Sequence, residues 1–223
     1  MAINLKDHEV IINSIRTEHP QTVADGPVVP EKYSIVRPRI LWVLRETNGG
    51  GDWDLKSFLR DNTNLFSYSR WHATFGAIAK ISKGLIESLE VSEIRKLNAR
   101  SAVESLRDIA VINLNKRGGG RNVNWETFPS DVQTFHPFVK SQICVLDPEI
   151  LIAAGTADWL PDPLKSEITK IGHLKTGAIQ IDSKKWLVKC FHSAQTQLTH
   201  HELYQQIINA LSSVGWSNTR LNC

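Results

Sequence analysis

Three polar side chains able to do acid–base or hydrogen-bonding chemistry lie at the ends of short apolar segments. Glu46 follows RILWVL (39–44), Asn113 closes IAVIN (109–113), and His192 follows WLVKCF (186–191). A carboxylate can orient water, and an imidazole can donate a proton or a hydrogen bond to a developing anion. An amide both donates and accepts hydrogen bonds. The three residue types together indicate an active or binding site.

The apolar segments that carry these residues predict strands of a parallel sheet. Each is short and continuously apolar, as is EILIAA (149–154), and such runs are typical of strands buried on both faces. Helical patterns separate them, which indicates β–α–β crossovers with helices on both faces of the sheet. Residues 178–182 give only a marginal signal for an edge strand. In open parallel sheets ligands bind beyond the carboxyl ends of the strands.

We therefore predict an α/β fold with three layers, α/β/α, around a four-stranded parallel sheet. A single domain spans residues 1–223, with an N-terminal helix and extended connection (1–38) before a core (39–211). Two sequences resemble capping boxes that start helices, at Ser130 with Gln133 and at Thr199 with Glu202.

The composition excludes several classes of protein. Apolar residues make up 41% and charged residues 22% of the chain, which is ordinary for a globular protein. No apolar run is long enough to cross a membrane. The cysteines, Cys144, Cys190 and Cys223, fit no disulfide framework, and we expect the first two in the core of a cytoplasmic protein. The net charge of +3 permits nucleic-acid binding without arguing for it.

Four segments, taken in order, resemble the uracil-DNA glycosylase superfamily across roughly residues 39–211: ILWVLRETNGGGDWDL, IAVINLNKRGG, LDPEILIAAGTADWL and WLVKCFHSAQTQLTHHELYQQIINAL. The first is similar to the family's strand and glycine-rich turn that bears a carboxylate, and the second to the strand whose terminal asparagine reads the base. The third is similar to the strand followed by a glycine and a helix, and the fourth to the strand that is followed by a histidine. Two departures stand out. The chain has His192-Ser193-Ala194 where the family usually has His-Pro-Ser, and LRETNGG where the family often has GEAPG or GQDPY.

The resemblance implies strand order 2-1-3-4 and hydrolysis of the N-glycosidic bond of uracil or another altered base in DNA. The transition state of that reaction resembles an oxocarbenium ion, so a carboxylate near the sugar can orient water and stabilise the cation. The resemblance assigns this role to Glu46, with Asp52 as the alternative. It implies that His192 donates a hydrogen bond to the oxygen of the departing base. The competing interpretations are a surface salt bridge of Glu46 with Arg45, a helix cap for Asp52, and a core histidine.

The resemblance also implies residues that would bind the base and the DNA backbone. Asn113 would read the base edge unless it only shapes a turn, and the stacking aromatic would be Phe66, Trp71 or Trp53. The residues expected to contact the backbone are Gly49, Gly50, Lys116, Arg117, Gly118, Ser193 and Gln195.

We expect no iron–sulfur cluster, because family members with a cluster use four cysteines and this chain has three. We also expect no metal ion and no other cofactor. The expected partner is single- or double-stranded DNA, with no membrane, and the expected state is a monomer. Two alternatives stay open: a catalytically inactive nucleic-acid-binding protein of the same fold, and a nucleoside or nucleotide hydrolase on a similar sheet.

Overall fold

Six strands form one mixed sheet in the structure, a computed structural model that describes residues 5–49, 53–61, 69–120, 122–193 and 197–217, with the backbone alone at 69–72. The spatial order is β1-β3-β2-β4-β6-β5. The strands are β1 (Gly26–Pro27), β2 (Ile40–Leu44), β3 (Ala110–Asn113), β4 (Ile150–Ala154), β5 (Gly177–Asp182) and β6 (Lys185–Cys190).

The predicted α/β class is confirmed, but the predicted four-stranded, wholly parallel sheet is wrong. β3, β2, β4 and β6 pair in parallel in the middle of the sheet. β1 pairs antiparallel with β3 on one edge, and β5 pairs antiparallel with β6 on the other. β1 is too short to produce a sequence pattern. β5 lacks a continuous buried run because it is a partly exposed edge strand.

Helices cover both faces of this sheet. Alternate residues of β2 point to opposite faces, so that Ile40 and Trp42 join one core cluster while Leu41 and Val43 join the other. The α-helices of the described residues are α1 (Leu5–Glu18), α2 (Pro30–Ile35), α3 (Leu55–Asp61), α4 (Ser69–Glu87), α5 (Val91–Lys96), α6 (Ala99–Ala102), α7 (Phe128–Leu146), α8 (Leu164–Thr169) and α9 (His200–Ser213).

Helices α3, α4, α5 and α9 contribute to the first cluster, and α1 and α7 contribute to the second. Among the described helices, none combines the length and apolar character needed to cross a membrane. Cys190 is buried as expected, whereas Cys144 on α7 is exposed, so its predicted place in the core is wrong.

A buried carboxylate, that of Asp25, joins elements that are distant in sequence. It accepts hydrogen bonds from Lys116 Nζ at 2.8 and 3.0 Å, from the Asn113 backbone N–H at 2.7 Å, and from Gln142 Nε2 at 2.9 Å. Both charged side chains are inaccessible to solvent. Lys116, expected on the surface as a contact to DNA phosphate, is therefore an interior residue held by Asp25.

His8 of α1 extends this buried network. Its Nε2 lies 3.1 Å from Gln142 Nε2, and since an amide nitrogen can only donate, the imidazole accepts there and is neutral. Burial lowers the pKa of His8 to about 4, more than the nearby Asp25 charge raises it. The ring packs against Gly26, where an added Cβ would lie 2.2 Å from His8 Cε1. The network thus fixes α1 against the β1 edge of the sheet.

Replacing Asp25 with alanine should lower the free energy of unfolding by about 3–5 kcal/mol, since it leaves the Lys116 ammonium buried without its counter-charge. The double variant Asp25→Ala/Lys116→Met should recover part of that loss. Urea unfolding followed by circular dichroism measures both. Asp61→Ala, which removes an exposed partner of Arg60, should stay close to the wild type. A double variant less stable than Asp25→Ala would contradict this account.

The free energy of unfolding should also fall as the pH is lowered from about 6.5 to 4. The unfolded chain binds a proton at His8 in that range while the folded chain, with its lowered pKa, does not. The contribution of His8 between pH 7 and 4.5 should be about 2–3 kcal/mol. His8→Gln should flatten the profile by that amount, and His173→Gln, at an exposed position, should not. Parallel profiles for the wild type and His8→Gln would rule this source out.

Candidate active site

Two loops extend the sheet beyond the carboxyl ends of β2 and β3. Asn115 N donates to Arg45 O at 2.9 Å, Gly119 N to Thr47 O at 2.7 Å, and Gly49 N to Gly119 O at 2.9 Å. The loops 45–49 and 114–119 therefore run side by side like a continuation of the parallel strands. Side chains at the ends of β2, β3, β4 and β6 face the same edge of the sheet, where ligands bind in open α/β folds.

Glu46 is fixed at this edge by the neighbouring loop. Its Oε2 accepts from Asn115 Nδ2 at 3.1 Å, and Asn115 Oδ1 accepts from the Arg117 backbone N–H at 3.0 Å. The carboxylate rests on the bare Cα of Gly119, since a Cβ there would lie 2.1 Å from Glu46 Oε1. Burial raises the pKa of Glu46, an effect that the Asn115 hydrogen bond and the Arg45 charge oppose. The result is an oriented, half-buried carboxylate.

Arg45 connects Glu46 to the end of β4. Its Nε donates to Gly155 O at 3.3 Å, and its guanidinium carbon lies 5.3 Å from the centre of the Trp125 ring. Gly155 has φ +68°, and a Cβ there would come within 3.1 Å of both Arg45 Nη2 and His192 Cβ. A glycine is therefore required for Arg45 and His192 to approach each other across the end of β4.

His192 lies at the end of β6, half-buried beside Gly155. Burial is the main cause that lowers the pKa of His192 to about 4, and the positive charge of Arg45 lowers it further. The imidazole is therefore neutral at neutral pH and can donate one N–H without carrying charge. Arg45 acts electrostatically on both Glu46 and His192, which places all three side chains in one region of the edge.

Two hydroxyl groups at the same edge are buried without a hydrogen-bond partner in the described part of the chain. They belong to Thr47, in the loop after β2, and to Ser193, beside His192. The two residues are 6% and 2% exposed. Buried hydroxyls are nearly always paired with protein or water.

The structure brings Glu46 and His192 to one edge but separates other expected residues from them. Asn113 is buried and its amide Nδ2 lies 3.5 Å from Asp25, so Asn115, two residues later, is the amide that meets Glu46. The Gly49 N–H donates to Gly119 and is not available to a phosphate. Ser193 is buried at the site and does not lie on an outer surface.

Arg117 and Gly118 belong to the loop that holds Glu46, but the Arg117 side chain is engaged within the protein. Arg117 pairs with Asp131 of α7 and lies over the ring of Phe135. With Gly118 and His19, Arg117 lines a shallow surface pocket. Trp53 is half-buried, and its Nε1 donates to Gly49 O at 3.2 Å.

Gly50, Asp52, Phe66 and Gln195 lie outside the described residues, and so does the side chain of Trp71, although its backbone belongs to α4. The expected roles of these five residues stay predictions.

Arg45, Asn115 and Trp125 belong to the site although sequence reasoning missed them. Asn115 and Arg45 each adjoin the end of an apolar strand, and that position was the available signal. Trp125 is 80 positions from Arg45 in the chain, and only the fold brings the two together.

Comparison with protein-family models, with curated proteins and with solved structures gives no match for this chain. The functional assignment therefore depends on the geometry of the site. Among the described residues, no group of three His, Cys, Asp or Glu side chains is arranged to hold a metal ion.

Replacing Gly119 with alanine should displace the Glu46 side chain without unfolding the protein. The new Cβ would overlap the carboxylate, which is the far end of a flexible side chain and can rotate away. The pKa of Glu46, followed by carbon NMR of the carboxyl group, should fall towards its ordinary value as the group becomes solvated. The change in free energy of unfolding should stay within about 1 kcal/mol.

Gly120→Ala is the matched control, because its Cβ would meet nothing closer than Asn122 O at 3.7 Å. The same pKa for Glu46 in both variants would show that Gly119 does not position it.

Proposed function

We infer that the chain hydrolyses the N-glycosidic bond of an altered base, such as uracil, in DNA. The observation that carries this proposal is the Glu46 carboxylate, held by Asn115 and Gly119 at the carboxyl edge of the sheet beside Arg45 and His192. A relationship to the uracil-DNA glycosylase superfamily is part of the proposal. It is supported by a carboxylate and a histidine that follow β2 and β6, whereas the amide of Asn113, expected to read the base, faces the buried Asp25.

The chemistry divides between the two sides of the bond. As the base leaves, the sugar gains cationic character and the base gains negative charge. Glu46 orients a water molecule at the sugar and stabilises the cation, because one of its oxygens is fixed by Asn115. His192, neutral and half-buried, donates a hydrogen bond to the base oxygen on which negative charge develops.

Arg45 contributes positive charge near the leaving group. Its guanidinium is partly desolvated, and its pKa is lowered for that reason, so its field is less screened than that of a surface arginine. Its charge acts on both the carboxylate and the imidazole and favours the ionised Glu46 and the neutral His192. These are the two protonation states that the reaction requires.

A second candidate function is hydrolysis of a free nucleoside or nucleotide. It is favoured by two observations: Lys116, expected to anchor a phosphate, is buried against Asp25, and the Gly49 N–H is used within the fold. Fewer backbone contacts remain for a DNA strand, whereas the site for the base and the sugar is unchanged.

The two candidates are separated by offering the protein oligonucleotides with different altered bases, in single and double strands, alongside the corresponding nucleosides and nucleotides. Released base is measured by chromatography. Glu46→Gln and His192→Ala should each lower the rate of the chemical step by about 10²-fold or more. Glu126→Gln, an exposed carboxylate near the site, and His173→Ala should keep the wild-type rate.

Release from free nucleosides alone selects the second candidate. Binding of DNA without release of base from any substrate would indicate the inactive nucleic-acid-binding alternative. Release of base at the wild-type rate in both variants would show that other residues carry out the reaction.

The rate should also rise with pH on the acid side. Glu46 must be ionised to orient water, and its pKa is raised, so the rate should fall at a pH above the ordinary glutamate range. His192 stays neutral down to about pH 4 and does not set this limb. The limb should move to lower pH in Gly119→Ala, in which Glu46 becomes solvated. An acid limb unchanged in Gly119→Ala would assign it to another group.

A further inference from the structure

Trp125 is a large aromatic residue left on the surface beside the candidate active site. It is 55% exposed, in the loop that leads into α7. Tryptophan is usually well buried, and one exposed at the edge of a cleft is a common ligand contact. Its position beside Arg45, the neighbour of Glu46, places the ring next to the reacting groups.

The ring is held in place. The Arg45 guanidinium lies over it at 5.3 Å, and Phe128 meets it edge-on with centroids 5.6 Å apart and an interplanar angle of 73°. Phe128 is itself buried and packs edge-on against Trp159 at 5.4 Å. The Phe128 backbone N–H donates to Asn124 O, which closes the turn that carries Trp125. A fixed aromatic surface loses little conformational entropy when a ligand stacks on it.

The surroundings indicate the kind of ligand. A cation, the guanidinium of Arg45, lies over the aromatic ring, and the next residue in the chain, Glu126, is an exposed acid. An apolar protein partner would bury the Arg45 charge without a counter-charge, whereas a flat heterocycle can stack on the exposed part of the indole that Arg45 does not cover.

We propose that Trp125 and Arg45 form a stacking surface for a nucleobase that enters the site. This inference rests on the proposed function for the identity of the ligand. The indole supplies the stacking face, and Arg45, anchored on Gly155 O, lies over the ring, fixes its orientation and supplies positive charge beside it. Trp125 acts in binding and takes no part in the bond cleavage.

The test compares two single-stranded oligonucleotides with the same number of phosphates, one carrying bases including uracil and one made of abasic tetrahydrofuran units. Binding is measured by fluorescence anisotropy in a Glu46→Gln background, so that no substrate is consumed. Trp125→Ala should weaken binding of the base-bearing strand about 5- to 100-fold, the usual range for loss of one base–aromatic stack. Binding of the abasic strand should not change.

Trp125→Phe, which keeps a smaller ring, should fall between the wild type and Trp125→Ala. Leu174→Ala removes another exposed apolar side chain, 62% exposed, and should have no effect. A titration with free deoxyuridine distinguishes the sources of the base: a loss of affinity in Trp125→Ala there assigns binding to the base alone, and a loss only with the strand assigns it to a base within a strand.

Equal losses on the two strands, no loss on either, or no binding of any of the three probes would overturn the inference. Base release is measured separately in the protein with Glu46 intact, so that failure of the stacking inference can be told apart from failure of the proposed function. Binding that depends on Trp125, without any release of base, would contradict the proposed function and support the stacking surface. Release of base together with binding that does not change in Trp125→Ala would support the proposed function and contradict the stacking surface.

Discussion

The buried Asp25 carboxylate fixes the positions of the elements around it, because a buried charge is stable only when hydrogen-bond donors and a counter-charge surround it. Those donors come from β3, from the loop after it and from α7, and Gln142 connects the carboxylate to His8 on α1. The Lys116 side chain anchors the beginning of the loop 114–119 inside the protein. Asn115, the preceding residue, can therefore hold Glu46 in a fixed position. The geometry of the candidate site depends on this interior ion pair, which itself contacts no substrate in the proposed reaction.

Partial burial then sets the protonation states at the edge of the sheet. It raises the pKa of Glu46 and lowers the pKa of His192, and the Arg45 charge lowers both. For the carboxylate the two influences oppose each other, and for the imidazole they act together. The Arg45 charge thus favours the ionised acid and the neutral imidazole together, although burial leaves the pKa of Glu46 above that of a solvent-exposed glutamate.

The parts of the fold that sequence could predict are those governed by local pattern. β2 and β4 are buried along their whole lengths, so their continuous apolar runs indicated strands, and the capping box of Thr199 with Glu202 is confirmed at the start of α9. The start of α7 was misplaced at Ser130, because the helix begins at Phe128 with a proline in its first turn.

The site was predictable only in part for the same physical reason. Glu46 and His192 adjoin strand ends, where topology alone brings side chains together. Whether Lys116 faces solvent or the interior depends on Asp25, 91 positions away, and no local pattern contains that information. Asn113 was chosen because it ends the strand, yet its amide faces the buried Asp25.

The burial of Lys116 also changes how affinity for a substrate should arise. Proteins that hold DNA mainly through its phosphates present free basic side chains and free backbone N–H groups along a groove. Here Lys116 and the Gly49 N–H serve the fold, and Arg117 is paired with Asp131. Among the described residues, the groups at this edge include an aromatic ring, a partly desolvated guanidinium and two buried hydroxyls without a described partner, on Thr47 and Ser193. Under the proposed function, affinity would therefore come through the base and its sugar, with the aromatic ring as a stacking face, more than through a phosphate chain.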